Sequence, residues 1–415
     1  MAVVKTGQLR LIEDHPNAIG ARSEADWLRF LTGPKSLIGA RPQSTLRIAD
    51  LFSGIGGLSL GATLAINDAG LAAKSVIACD LDRSALAVYA SNLPAPITVT
   101  DSVADHVEYE VKGAGDAAAF VAPPRLKGEA FADYVNEVEL LLAGPPCQGH
   151  SALNNHTRHD DPRNGLYLAV PAIAIAMGIP NVVIENVPGV VRDRNGVVPT
   201  AASLLRRAGY QVEMGVLAAD ELGWPQTRRR FFMVASRWGA PRPLEDLAES
   251  FAEKGRAVRW AFKNLPNKRN DPRWMSESAQ MSEENLERMR WLIDNDEYDL
   301  PNHLRPVCHQ QGTTYKANYG RMRIDRPAGT LTTGFATPGR GRFVHPLEPR
   351  TLTNREAARI QAIPDWFDFS GGRAEPRVTD IRRWIGNAVP PVLAHAAVSA
   401  LPLQPGRRSV RNTRG

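Results

Sequence analysis

From residue 46 onward, short apolar runs and helical stretches alternate along the chain. Residues 46–52, 75–79, 97–100, 138–143 and 181–184 read as strands, and residues 58–69, 83–92, 166–177 and 199–209 read as helices. Two more strands are predicted over 211–217 and 230–235. Alternation of this kind argues for an α/β fold, a doubly wound parallel sheet with helices on its faces. The stretch 102–136 interrupts the pattern with Gly113, Gly115, Pro123, Pro124 and Gly128, and reads as an elaborated connection. Residues 1–45 show no strong periodicity and are expected to form a leader.

After residue 237 the alternation fails. Basic residues cluster at 256–273 and 305–323, around an acidic stretch at 283–299. A second, smaller domain is therefore expected over 238–345. Helical character at 354–361 and 392–400 predicts a return to the first domain, which would comprise 46–237 and 346–403. Residues 404–415 are basic without apolar partners and read as a tail.

Composition narrows the class. Of 415 residues, 43% are hydrophobic and 23% charged, as expected of a globular protein rather than a disordered one. Fifty Lys and Arg against 44 Asp and Glu give a net charge of +6, which permits a nucleic-acid partner without demonstrating one. Three cysteines are too few for a disulfide framework, and a reducing, cytoplasmic setting is expected. The longest apolar run, 166–180, is broken by Pro171 and Gly178 and is shorter than the roughly 20 residues of a membrane-spanning helix, so no membrane association is expected.

Candidate chemistry gathers where predicted strands end. The turn Ser53-Gly-Ile-Gly-Gly57 lies between strand and helix, where a glycine backbone can approach a ligand closely or simply turn. Asp80 and Asp101 end the next two strands; each alone could be a helix cap, but in sequence they favour a nucleoside ligand. Cys147 follows Pro145 and Pro146 after the fourth strand, as a candidate nucleophile or a small buried hydrophobe. Glu185 follows the fifth strand, where a carboxyl could act as an acid. Arg228 and Arg230 lead into the last strand, alternate and so on one face, unless the run is a solvated edge. No metal-ligand spacing is present.

Taken in order, Asp50-Leu-Phe-Ser-Gly-Ile-Gly-Gly57, Pro146-Cys-Gln148, Glu185-Asn-Val187, Gln226-x-Arg228-x-Arg230, Arg350-x-Leu-Thr-x-Arg355-Glu-x-Ala-Arg359-x-Gln361 and Ile385-Gly-Asn387-Ala-Val-Pro-Pro391 resemble the C5-cytosine DNA methyltransferase family. The resemblance implies methyl transfer from S-adenosyl-L-methionine to C5 of a cytosine flipped out of a specific double-stranded DNA sequence. It implies Cys147 as the nucleophile at C6, Glu185 as the holder of a proton on N3 with a raised pKa, Arg230 at the base O2, and Arg228 in support. Cofactor contacts carry over to Phe52, Gly54, Gly56, Gly57, Asp80, Leu81, Asp101, Pro146, Asn387 and Val389. Leu81 stands where some relatives place an aromatic, and His150 where the family usually has Phe.

DNA contacts are expected from Gln148 and Ser151 near the nucleophile and from Arg259, Lys268, Arg273, Arg321 and Arg323 in the recognition region. Thr330-Leu-Thr-Thr-Gly334 resembles an element bordering that region, and Trp260 and Trp274 are expected to pack rather than stack on bases. The implied setting is restriction–modification or phage defence, with any cognate proteins encoded separately and a monomeric enzyme. A transfer-RNA cytosine methyltransferase would be expected to carry a shorter recognition region. A catalytically silent DNA-binding relative would not be expected to retain Cys147, Glu185, Arg228 and Arg230.

Overall fold

A computed structural model of the chain describes residues 22–35, 44–146, 166–251, 255–310 and 317–404. Among these residues, each apolar run read as a strand lies in one seven-stranded sheet. Its strands are β1 (Thr45–Leu51), β2 (Ala72–Cys79), β3 (Ile97–Val99), β4 (Leu140–Ala143), β5 (Asn181–Asn186), β6 (Gln211–Ala218) and β7 (Arg229–Ser236). The order across the sheet is β6-β7-β5-β4-β1-β2-β3.

β7 runs antiparallel to both neighbours, so the sheet is mixed, not wholly parallel as expected. The cause lies in the short link 219–228, which carries no crossover helix; a parallel partner needs a crossover, whereas an antiparallel one needs only a turn.

Both faces of the sheet are covered, and residue alternation sorts side chains between two cores. Ile48, Leu142, Val183 and Phe232 face one core; Ala49, Leu141, Ile184 and Met233 face the other. The principal helices are α1 (Glu24–Thr32), α2 (Gly57–Asp68), α3 (Arg83–Asn92), α4 (Leu166–Ala176), α5 (Val197–Arg207), α6 (Glu283–Asp294), α7 (Asn354–Ile360), α8 (Val378–Asn387) and α9 (Pro391–Ser399). α2 and α9 pack together on the first face, while α4 and α5 cover the second.

Part of the expected leader is helical, and the connection 102–136 is elaborated as expected. Within the expected leader, α1 buries Trp27, Phe30 and Leu31, and Trp27 lies edge-on to Trp224 at 5.3 Å. Its start is fixed by a capping box between Ser23 and Asp26. The connection 102–136 holds two short antiparallel pairings, Val107–Glu108 with Arg125–Leu126 and Val111–Lys112 with Ala119–Phe120. It docks on α5 through Ser203 Oγ, which donates to the Asp116 and Ala118 carbonyls.

Nor does the compositional shift at 238 coincide with a break in packing. Val258, Trp260, Met275, Met322, Leu331 and Phe335 belong to the same core as the first sheet face. A separate small core is formed by Met289, Leu292, Leu300 and Val344.

Candidate functional site

β1 leads through α2 to β2 on one side, whereas the chain returns from β3 to place β4 on the other side of β1. Ligands in open α/β sheets bind at the carboxyl ends of strands where the order reverses in this way. The loops leaving β1 and β4 are 52–56 and 144–146, so this switch point carries the expected glycine turn and Pro145–Pro146. Cys147, Gln148, His150 and Ser151 lie outside the described residues.

The loop leaving β1 is conformationally unusual. Phe52 has φ +56° and Gly54 has φ +52°, the left-handed region that side chains disfavour. The glycines have different reasons to be there. A Cβ on Gly56 would press on Tyr89 and Leu93 at 2.9 Å, and one on Gly57 would lie 2.5 Å from the Val389 carbonyl oxygen. A Cβ on Gly54 would meet nothing within 4 Å, so that side of the loop is open to a ligand. α2 begins without a side-chain cap, leaving its N-terminal amides for an acceptor from outside.

Beneath this loop, buried Asp50 accepts from Ser59 Oγ at 2.7 Å, and burial pushes its carboxyl up to about 7. Ser59 in turn meets the Tyr89 hydroxyl at 2.8 Å.

Asp80 closes the loop from the side. Its Oδ2 accepts from Gly54 N at 2.8 Å and its Oδ1 from Asp82 N at 2.7 Å. Each carboxylate oxygen has a second lone pair, so two acceptor positions remain for a vicinal diol. Leu81 beside it is 71% exposed, an apolar surface that an aromatic ring could cover. Asp101 and Asn387 are also exposed, and Val389 and Pro146 are half-buried. This set of open backbone, acceptor pair and uncovered apolar side chain suits a nucleoside-bearing cofactor, and S-adenosyl-L-methionine has those parts.

β5 and β7 bring the acid and its partner together. Glu185 lies inside β5, opposite Phe232 of β7. Arg230 Nε donates to Glu185 Oε1 at 2.8 Å, and Glu185 Oε2 lies 3.7 Å from the position of a Cβ on Gly144. Asn186 Nδ2 donates to the Pro145 carbonyl at 3.3 Å, so the strand end and the loop toward Cys147 are one unit. Glu185 is 7% exposed; burial raises its carboxyl above the ordinary range, and Arg230 and Arg228 offset only part of that.

Arg228 is buried and spans two segments: Nη1 donates to the Leu331 carbonyl at 2.8 Å and Nη2 to the Gly386 carbonyl at 3.1 Å. It is thus a tie between β7, the 330–334 segment and α8, with an electrostatic reach to Glu185. Gly386 leaves no room for a side chain against the Thr332–Thr333 backbone, which seats the border segment on α8.

The basic residues expected to contact DNA divide. Arg259, Lys268 and Arg273 are exposed, and Arg323 is partly exposed over the Tyr298 ring at 4.2 Å. Arg321 is buried, against expectation. Its guanidinium donates to the Pro346 carbonyl at 2.8 Å, the Leu292 carbonyl at 3.2 Å and Asp296 at 2.9 Å, holding the small core to the rest. Trp260 packs edge-on to Trp224 at 5.1 Å and Trp274 packs against the main core, so both pack as expected but in the main core and not in a small one.

Residues not singled out from sequence also border the site. Tyr167 is buried, its phenol pushed up by burial and by the Glu185 carboxylate, and its hydroxyl has no hydrogen-bond partner among the described residues. Trp384 and Arg383 of α8 reach Asp82. A buried Tyr after a polar loop, or a Trp in an amphipathic helix, carries no local pattern that distinguishes it from ordinary packing.

Comparison with known proteins is consistent across the chain. The profile of the C-5 cytosine-specific DNA methylase family matches residues 46–402. The Type II methyltransferase M1.BsuMI of Bacillus subtilis is 39% identical over 373 residues, covering 90% of this chain and 83% of that protein. The Type II methyltransferase M.XorII of Xanthomonas oryzae is 29% identical, covering 84% of this chain and 82% of that protein. Among solved structures, an E. coli prophage-encoded chain described as a DNA modification methyltransferase superposes with a TM-score of 0.55 at 24% identity, covering 86% of this chain and 98% of that one. That last likeness is one of fold.

Proposed function

The chain belongs to the C-5 cytosine-specific DNA methylase family, and from that premise we propose which of its residues carry methyl transfer to C5 of cytosine in DNA. C5 is a poor nucleophile and must be activated. Cys147, next in the chain after Pro146, adds as a thiolate to C6 and makes C5 enamine-like. Glu185 holds the proton on N3 that the adduct needs; its raised carboxyl supports this role, and Arg230 at Oε1 leaves Oε2 toward the Pro145–Pro146 loop to carry the proton. Arg230 is assigned to the base O2 as well, where charge grows during addition. Arg228 keeps β7 and α8 in register beneath them.

S-adenosyl-L-methionine, when bound, supplies an electrophilic methyl group to C5. Asp80 would accept its ribose hydroxyls, Leu81 would cover its adenine, Asp101 would face the adenine amino group, and Phe52, Gly54, Pro146, Asn387 and Val389 would line the remainder. Loss of the C5 proton to a base then lets the Cys147 thiolate leave, so the ring gains a methyl and loses a proton. Because the ring edge is inaccessible in a stacked duplex, the target base is extruded first. Arg259, Lys268, Arg273 and Arg323 of the region 238–345 are assigned to double-stranded DNA, with Arg321 reassigned to the framework. The Type II names of M1.BsuMI and M.XorII support a place in restriction–modification.

The observation that carries this reading is the convergence of Glu185, Arg230 and the Pro145–Pro146 loop at the switch point of the sheet. Its test is expression in a methylation-free bacterial host followed by bisulfite sequencing. A recurrent protected cytosine in one sequence context is expected; no protected cytosine from folded, cofactor-binding protein overturns the reading.

A further inference from the structure

The turn that presents Asp80 and Leu81 is held from a distant part of the chain. Asp82 uses both carboxylate oxygens. Oδ1 accepts from Ser84 N at 3.0 Å and Ala85 N at 3.2 Å, capping α3. Oδ2 accepts from Trp384 Nε1 at 3.0 Å and pairs with Arg383 Nη1 at 2.8 Å. Burial would raise the Asp82 carboxyl, yet the bonds from Trp384 and Arg383 outweigh it and hold it below the usual carboxylate range. The Asp82 main-chain N–H is itself one of the two donors to Asp80. Thus Trp384 fixes Asp82, Asp82 fixes Asp80, and Asp80 fixes Gly54.

The other end of this arrangement is equally anchored. Gly386, two positions after Trp384, is seated on the Thr332–Thr333 backbone, and its carbonyl accepts from Arg228. Val389, just beyond α8, closes on Gly57. α8 therefore touches the cofactor turn, the recognition border and the start of α2 within a few residues.

We propose that the Asp82–Arg383–Trp384 cluster is a positioning device for the cofactor, setting the Asp80–Leu81 turn in its ligand-accepting geometry from α8. The inference rests on the assignment of that turn to S-adenosyl-L-methionine. Trp384 is 3% exposed whereas the Arg383 side chain is 44% exposed, so the indole N–H carries most of the restraint and the ion pair is screened by solvent. None of the three residues is assigned to the reacting atoms. Their loss therefore acts on cofactor affinity and leaves the chemical step in place.

The test uses the full chain and calorimetric titration with S-adenosyl-L-methionine, alongside thermal unfolding and steady-state methylation. Trp384→Phe removes the indole donor. Asp82→Asn keeps a side-chain oxygen for the α3 cap but puts an uncharged NH2 donor where the indole N–H and Arg383 need an acceptor. Each is expected to weaken cofactor binding about five- to tenfold, the worth of one lost hydrogen bond. KM for the cofactor rises in parallel, kcat at saturation stays within about twofold, and the double variant is no weaker than the worse single one, because the two substitutions break one contact. Wild-type affinity in both variants, or a fall in kcat with the melting temperature and no selective loss of affinity, overturns the proposal. A wild-type chain that binds no cofactor overturns the assignment of the turn itself and this inference with it.

Discussion

Two polar regions of this molecule resemble the same family by sequence, yet they are built in opposite ways. At the sheet edge, Gly54 has open space, Asp80 keeps unused lone pairs, Leu81 stands exposed and Glu185 holds a carboxyl above its usual range. In and around α7 the distinctive side chains of 350–361 are committed. Arg350 pairs with Glu356 at 2.7 Å, Arg355 with Asp271 at 2.8 Å, and Gln361 Nε2 and Gln226 Nε2 donate into the same buried seam. Arg359 is wholly buried and serves Asp365 together with the carbonyls of Ala261, Lys263 and Asn264. A motif of charged residues can thus mark chemistry or a weld, and saturation of hydrogen bonding tells them apart.

That distinction can be broken in three places. The largest effect is expected from Cys147→Ser: methyl incorporation into DNA should fall by roughly 10⁴-fold or more, with cofactor affinity and unfolding midpoint retained. Turnover within tenfold of wild type would remove Cys147 from the nucleophile role. Arg359→Ala should act on the fold instead, costing about 3–5 kcal/mol because it removes the nearer of the two arginines on Asp365, leaving Arg355 at 3.7 Å, and a donor to three buried carbonyls. Denaturant titration without ligands reads that loss directly, and an unchanged midpoint would show that α7 is not a weld.

Glu185→Gln should lower kcat by about 10²- to 10³-fold without loss of stability. The sign of the accompanying pH effect follows from the raised carboxyl. In the proposed mechanism its protonated form is the active one, so wild-type kcat should fall as pH rises through that raised value, and the Gln variant should lose this limb. The same group contributes to stability below its unfolded pKa and loses that contribution as pH rises through the folded one. Thermal unfolding across that interval should be flatter in the variant; an unaltered pH profile of kcat would detach Glu185 from the proton on N3.

Legibility in the sequence followed burial. Strands of a sheet covered on both faces must be nearly all apolar, so β1, β4 and β5 stand out as runs. Their direction does not, because periodicity is the same either way; only the short link 219–228 hinted that β7 turns back. The capping box and the three buried residues of α1 are local signals, but nine residues give too little periodicity to be decisive. Strand-end residues of the site were legible through motif order. The fates of Arg321 and Arg323 were not: both sit in one basic cluster, and only contacts with Leu292, Asp296 and Pro346 make the first internal. Trp384 meets Asp82 across 302 positions of sequence, beyond any window.

Under the proposed assignment of 238–345 to DNA, the small core around Met289, Leu292 and Leu300 has a consequence for altering specificity. It is joined to the remainder by arginine clasps, Arg321 to the Leu292 carbonyl and Arg342 to the Tyr298 carbonyl at 2.6 Å, not by continuous apolar packing. A transplant of this subregion that keeps both clasps needs the two backbone acceptors and carboxylates at positions 296 and 299. A cut made through 257–275 would instead open the main hydrophobic interior beside Trp260 and Met275. Exchangeable specificity is therefore expected to begin after that segment, well inside the boundary that composition alone suggests.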